Sequence, residues 1–216
     1  MDILKEVKQK EHVWISLTGA GGKTTLMQRI AGFLKENGKS VLMTTTTKIQ
    51  SSLFYNWQAD CVFTDTSVLD YKIKKPVVVL YAEKCDIKQK LVSPSFEVLK
   101  ELYGRFDYVI CEADGAKHMS FKVHTERDPV IVPWNDFTFC LFNAADMNKN
   151  TADCVFGPVS FEKTDVSFLD WLLTDAEGLL KGTMPGARAI IAVNGSKTLC
   201  DRVFEKTAER CYTAFL

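Results

Sequence analysis

A short glycine-rich segment near the start of the chain has the residue types that bind nucleotide phosphates. It reads Gly19-Ala20-Gly21-Gly22-Lys23-Thr24-Thr25. Glycines let backbone N–H groups point inward at an anion, because no Cβ obstructs the turn. A lysine that begins the following helix reaches the β and γ phosphates, and the next hydroxyl ligates magnesium. The segment is therefore predicted to bind ATP or GTP, with Lys23 as the cation and Thr24 as a Mg²⁺ ligand.

The match to the full phosphate-loop motif is partial. That motif has a glycine six residues before the lysine, where this chain has Leu17. Thr18, five residues before the lysine, excludes the variant that carries a second signature lysine at that place. A plain glycine turn between a strand and a helix is the alternative interpretation.

The elements around the segment favour the phosphate loop. Residues 12–19 are predicted as a buried strand, 23–36 as a helix closed by Asn37-Gly38, and 40–46 as a second buried strand. This β-loop-α-β order begins a parallel α/β sheet.

An acidic pair follows another predicted strand, Tyr108–Cys111. P-loop enzymes need an acidic residue at such a strand end to hold magnesium. Glu112 and Asp114 are therefore predicted, with Thr24, as the metal site, and with Lys23 as catalytic residues. Asp114 could also take a proton from an acceptor. A strand end that turns through Asp-Gly is the alternative.

Two further segments are candidates for ligand contact. Thr44-Thr45-Thr46-Thr47-Lys48 ends the second strand, where α/β sheets face their ligands, so Lys48 is assigned to nucleotide binding; β-branched strand residues explain the threonines equally well. Asn194-Gly195-Ser196-Lys197 lies where GTPases read guanine, but the aspartate expected after the lysine is missing, so the choice of base stays open.

Residues 117–136 form the least regular stretch, with Pro129 and Pro133. Its length indicates a function, and we predict a mobile wall over an acceptor site. His118, His124 and Glu126 lie in it. Their spacing is not that of a closed zinc site, so a solvated or substrate-contacting loop is the preferred interpretation.

Further strands are predicted at 61–63, 77–81, 137–142 and 187–193, and helices at 93–104, 166–182 and 197–215. The predicted fold is a single domain over 1–216: a mostly parallel, Rossmann-like α/β sheet flanked by helices, of the P-loop NTPase type.

Composition bounds the class of protein. Lysine and arginine number 27, as do aspartate and glutamate. This neutral balance predicts neither a nucleic-acid nor a membrane partner. The seven cysteines include no CxxC pair, and Met1–Glu6 resembles a charged helix rather than a secretory signal, so a reduced cytoplasmic protein is expected.

Taken together, the glycine segment, Thr44–Lys48, and Glu112-Ala113-Asp114-Gly115 followed by Asp128-Pro129-Val130-Ile131 resemble the YqeC family. The resemblance runs over most of the chain. The family usually has Glu-Pro in place of Asp128-Pro129, and its usual final strand is not evident after Phe215. The resemblance implies a role in maturing the cofactor of selenium-dependent molybdenum hydroxylases. It implies as partners a small cofactor precursor or selenium species, and a molybdenum hydroxylase.

Two classes of function remain open. The first is an enzyme, a nucleotide hydrolase or small-molecule kinase. The second is a nucleotide-gated chaperone that delivers a cofactor or metal to a partner enzyme. An exposed apolar patch near Phe121 to Trp134 would favour the chaperone.

Overall fold

A computed structural model describes residues 11–50, 56–85, 90–183, 187–207 and 212–215. The helix predicted for Met1–Glu6 lies outside these residues. The strands are β1 Val13–Gly19, β2 Ser40–Thr45, β3 Lys48–Gln50, β4 Cys61–Phe63, β5 Val77–Tyr81, β6 Glu83–Cys85, β7 Lys90–Val92, β8 Tyr108–Glu112, β9 Phe121–Lys122, β10 Phe137–Asn143, β11 Val155–Phe156, β12 Arg188–Asn194 and β13 Tyr212–Phe215. The α-helices are α1 Lys23–Glu36, α2 Phe96–Tyr103, α3 Thr151–Cys154, α4 Val166–Thr174 and α5 Lys197–Thr207.

Eight of these strands form one sheet in the order β13-β12-β10-β1-β8-β2-β5-β4. The pairs β2–β8, β2–β5, β4–β5, β10–β12 and β12–β13 are parallel. Helices flank this sheet, so the predicted α/β fold with a mostly parallel, Rossmann-like sheet is confirmed.

The chain packs into two compact units. The first comprises Met1–Ser16 and Thr24–Glu112, and the second comprises Leu17–Lys23 and Ala113–Leu216. The single domain over 1–216 stays a prediction.

In the first unit, a buried strand follows a helix whose end is marked by a glycine. Every residue of β2 is buried. α1 has the predicted bounds, and Gly38 ends it with φ +78° while its N–H bonds to the Lys35 carbonyl. This left-handed residue after the last turn is where glycine is favoured. The antiparallel sheet β3-β7-β6 was not predicted, because each of its strands has only three residues.

The second unit has an aromatic core beneath β10 and β12. Phe121 stacks on Phe142 with ring centroids 5.6 Å apart, and packs edge-on against Phe168 of α4 at 5.4 Å. All three rings are buried. Strand β9, which carries Phe121, pairs in parallel with β11. Part of the segment predicted as an irregular wall is therefore core, because its apolar residues pack under the sheet.

Two helix predictions were too long. The helix predicted for 166–182 ends at Thr174, because Asp175 is extended with ψ 149° and the Leu179 N–H turns back to the Leu172 carbonyl at 2.8 Å. The helix predicted for 197–215 ends at Thr207, and β13 follows it. β13 pairs in parallel with β12, with Val193 opposite Phe215, so pairing at the sheet edge replaces helical turns.

No helix among the described residues is long and apolar enough to span a membrane. Free thiols occur at Cys61, Cys111, Cys140, Cys154 and Cys200.

Candidate functional site

The glycine loop, defined as Gly19–Gly22, leaves the end of β1 in a conformation that side chains disfavour. Gly19, Gly21 and Gly22 have φ of +86°, +75° and +131°. A Cβ on Gly19 would overlap the Leu141 carbonyl oxygen, to which the Ala20 N–H donates at 2.9 Å. The positive φ at all three positions therefore favours glycine there.

Lys23 begins α1 and is 5% exposed. Its ammonium donates to the Gly19 carbonyl at 2.5 Å and lies 2.8 Å from Asp114 Oδ1. The side chain thus folds back over the glycine loop and ends against a carboxylate.

Asp114 is fully buried, and its carboxylate contacts the glycine loop. Its Oδ2 accepts from the Gly19 N–H at 2.8 Å and lies 2.9 Å from His124 Nε2. Lys122 Nζ lies 3.7 Å from the same oxygen. Burial raises the pKa of Asp114, but the charge of Lys23, the hydrogen bond from His124 and the charge of Lys122 outweigh it, so the pKa falls to about 2.

His124 and Lys122 connect Asp114 to other residues of the second unit. His124 Nδ1 lies 2.8 Å from the Gly178 carbonyl oxygen. Lys122 is fully buried, donates to the Gly115 carbonyl at 2.6 Å, and pairs with Asp128.

A solvated or substrate-contacting loop was predicted for His118, His124 and Glu126. The solvated part of that interpretation is wrong for His124, and contact with a substrate stays a prediction. His118 and Glu126 are exposed, whereas His124 is 1% exposed. The ring is held inside by the Asp114 carboxylate, which the sequence pattern did not connect with it. Among the described residues, no group of three or more His, Cys, Asp or Glu side chains could hold a metal ion.

Thr24 and Glu112 form a separate pair in the first unit. Thr24 Oγ1 donates to Glu112 Oε2 at 3.3 Å. The Glu112 carbonyl accepts from Thr45 Oγ1 at 2.8 Å and from the Thr46 N–H at 3.1 Å, which fixes the backbone at the end of β8. The pair offers a hydroxyl and a carboxylate, the oxygen ligands that Mg²⁺ prefers.

The structure thus brings Lys23 together with Asp114, and Thr24 together with Glu112. Thr25 is exposed on α1, and Lys48 is exposed at the start of β3, a strand of the small antiparallel sheet. Sequence reasoning missed Lys122 as a contact of Asp114. The signal was present, because a lysine between Phe121 and Val123 interrupts an apolar run.

Asn194, at the end of β12, also contacts the glycine loop. Its Nδ2 donates to the Gly21 carbonyl at 3.2 Å. Asn194 is the register partner of Asn143 at the end of β10. Ser196 Oγ accepts from the Leu199 N–H in the first turn of α5. The element compared with the guanine-reading motif therefore lies beside the glycine loop.

The model of the family described as YqeC protein matches residues 15–159. The chain belongs to the YqeC family. The matched residues include the glycine loop, Lys23, Glu112, Asp114 and His124.

A curated relative is consistent with this membership. The protein of Escherichia coli (strain K12) named "Uncharacterized protein YqeC" is 32% identical over 127 residues, which cover 57% of this chain. The aligned residues span 48% of that relative, about half its length. No solved structure matches the chain.

Proposed function

We propose that this YqeC-family protein binds ATP or GTP through the glycine loop, Lys23, Thr24 and Thr25. The observation that carries the proposal is the backbone of the loop. Three glycines with positive φ connect a buried strand to a helix whose first residue is lysine. Such a turn directs N–H groups and the positive end of the helix towards an anion. Lys48 is proposed as an additional nucleotide contact.

Magnesium is proposed to bind at Thr24 and Glu112. Mg²⁺ usually takes one or two carboxylate or hydroxyl ligands and completes its shell with water and phosphate oxygens. The hydrogen bond between Thr24 and Glu112 supports this, because it holds both oxygen ligands within reach of one ion. When bound, the ion would neutralise charge on the phosphates.

Asp114 has a different proposed role from the one its sequence position suggests. Its two oxygens lie against Lys23, the Gly19 N–H and His124. We therefore assign it to positioning Lys23, and leave the metal to Thr24 and Glu112.

The proposed reaction is nucleotide hydrolysis or phosphoryl transfer to a small cofactor precursor or a selenium species. It would serve maturation of the cofactor of selenium-dependent molybdenum hydroxylases in the cytoplasm. Phosphoryl transfer is catalysed mainly by positioning and charge neutralisation, which Lys23 and the Thr24–Glu112 pair can provide. The pathway rests on the family resemblance.

The chaperone alternative expects an exposed apolar surface near Phe121 to Trp134. Phe121, Val123 and Val132 are each at most 2% exposed and cannot contribute to it. Ile131 and Trp134 are half-buried and Pro133 is exposed, so any such surface would lie at the end of this segment.

The test is substitution of Lys23. Truncating one partner of a desolvated charge pair costs about 2–5 kcal/mol. Lys23→Ala should therefore weaken binding of ATP or GTP with magnesium at least about tenfold in titration calorimetry. In cells, the hydroxylase should be made but lack selenium, as in a strain without the gene.

The matched control is Lys35→Ala, on the same helix, whose exposed ammonium pairs with Asp60. This variant should bind nucleotide normally. Unchanged affinity in Lys23→Ala would remove the proposal. Selenium-loaded, active hydroxylase in the deletion strain would remove the pathway alone.

A further inference from the structure

Two donors at the glycine loop already contact an acidic side chain of the protein itself. The Gly19 N–H and the Lys23 ammonium, which would meet a phosphate, both contact the Asp114 carboxylate at 2.8 Å. This carboxylate is fully buried and forms ion pairs with Lys23 and Lys122, so it is an internal anion at the loop.

We infer that Asp114 holds Lys23 in a standby position, and that an entering phosphate takes Lys23 from Asp114 while His124 and Lys122 keep the carboxylate paired. The inference rests on the proposed function and specifies how that site is regulated. His124 and Lys122 are positioning residues in it.

The surroundings of Asp114 make this exchange possible. A buried carboxylate that loses its only cation is strongly destabilised. Asp114 has two further partners, His124 at 2.9 Å and Lys122 at 3.7 Å, and both side chains are fully buried. Departure of Lys23 therefore leaves the carboxylate paired.

The contacts of His124 support its role as a second partner of Asp114. One ring nitrogen faces the Gly178 carbonyl and the other faces the Asp114 carboxylate, so the ring is held between two oxygens. Lys122 in turn pairs with Asp128 and donates to the Gly115 carbonyl, which fixes its position.

The exchange has a measurable consequence. The attraction of Asp114 for Lys23, and its repulsion of an incoming anion, both oppose phosphate binding. Removing the charge without changing the shape should therefore strengthen phosphate binding. If the carboxylate were merely structural, its removal would weaken phosphate binding or leave it unchanged.

The experiment measures binding of inorganic pyrophosphate without magnesium, which excludes any effect through a metal ligand. Asp114→Asn should lower the Kd about tenfold, since opposite charges this close in a buried site interact strongly. The gain should vanish in Lys23→Ala/Asp114→Asn relative to Lys23→Ala. Asp107→Asn is the control. Asp107 also pairs with a lysine, Lys75, and accepts a hydrogen bond from the Ser40 N–H. The Kd of this variant for pyrophosphate should not change.

A measurement on the unaltered protein covers the case in which Asp114→Asn does not fold. The ring ¹⁵N resonances of His124 should shift when pyrophosphate binds, because its partner carboxylate loses Lys23. Pyrophosphate binding with unshifted resonances, or an Asp114→Asn variant that folds and binds no more tightly, would overturn the inference while the proposed function stands. Pyrophosphate and nucleotide binding that are both insensitive to Lys23→Ala would overturn the proposed function and the inference with it.

Discussion

At the scale of single residues, two carboxylates separated by one alanine have different environments. Glu112 is 9% exposed and meets a threonine hydroxyl, whereas Asp114 is fully enclosed by two lysines and a histidine. A carboxylate beside a hydroxyl presents two oxygen ligands of the kind that Mg²⁺ prefers. We therefore predict separate roles for the two side chains.

Glu112→Gln tests this separation. The substitution keeps the shape and leaves the carbonyl bonds from Thr45 and Thr46 in place. We expect turnover of ATP or GTP to fall about 100-fold, since a lost electrostatic contact in the transition state has this magnitude. Nucleotide affinity should change much less. The exposed Glu101→Gln on α2 serves as the control, and equal losses of turnover and affinity in Glu112→Gln would make Glu112 a structural residue.

At the scale of elements, the junction between β1 and α1 depends on a glycine. Gly19→Ala would force a side chain into φ +86° and against the Leu141 carbonyl. We expect it to lower the free energy of unfolding by about 1–3 kcal/mol. The control is the separate variant Gly32→Ala. Gly32 lies inside α1, and a Cβ there would have nothing within 4 Å. This variant should raise the free energy of unfolding by about 0.5–1 kcal/mol. Urea unfolding gives both values, and effects of the same sign would contradict this account of the junction.

The elements also show what the sequence could predict. β1, α1, β2, β5 and β8 were located because apolar runs and the Asn37-Gly38 end signal are local features. β13 was missed because its four residues continue the helical pattern of α5 and become a strand only by pairing with β12.

The candidate site also combines residues that local patterns predict with contacts that they do not. Gly19–Thr25 and Glu112 were found from local patterns. The contact of Asp114 with His124 was not, because it requires the chain to return through β9, and no spacing in the sequence specifies that packing.

At the scale of the whole molecule, global stability should depend on a carboxylate at the opposite ends of the strands. Asp107 Oδ2 accepts from the Ser40 N–H and hydroxyl, and Oδ1 pairs with Lys75. Burial raises the pKa of Asp107, but the bonds from Lys75 and Ser40 lower it more, so it lies below 3.8. A lowered pKa stabilises the fold above pH 3.8, and this contribution is lost as the pH falls through the folded-state value.

Asp107→Asn should therefore cost about 1–3 kcal/mol at pH 7, mostly through the buried bonds to Ser40. Lys75 is 52% exposed, so Lys75→Ala should cost less than about 1 kcal/mol. The difference between Asp107→Asn and the parent protein should shrink below pH 3.8 in urea unfolding followed by circular dichroism. A difference that stays constant with pH would show that the carboxylate charge is not involved.

The discontinuous second unit has a consequence for biosynthesis. Leu17–Lys23 belongs to the same unit as Ala113–Leu216, and Gly19 and Asp114 are 95 residues apart in the chain. A ribosome adds about 5–20 residues each second, so the glycine loop is made about 5–20 s before its carboxylate partner exists. During that interval the nascent loop has neither Asp114 nor the Leu141 carbonyl to fix it. The site can be completed only after the strand that carries Leu141 has left the ribosome.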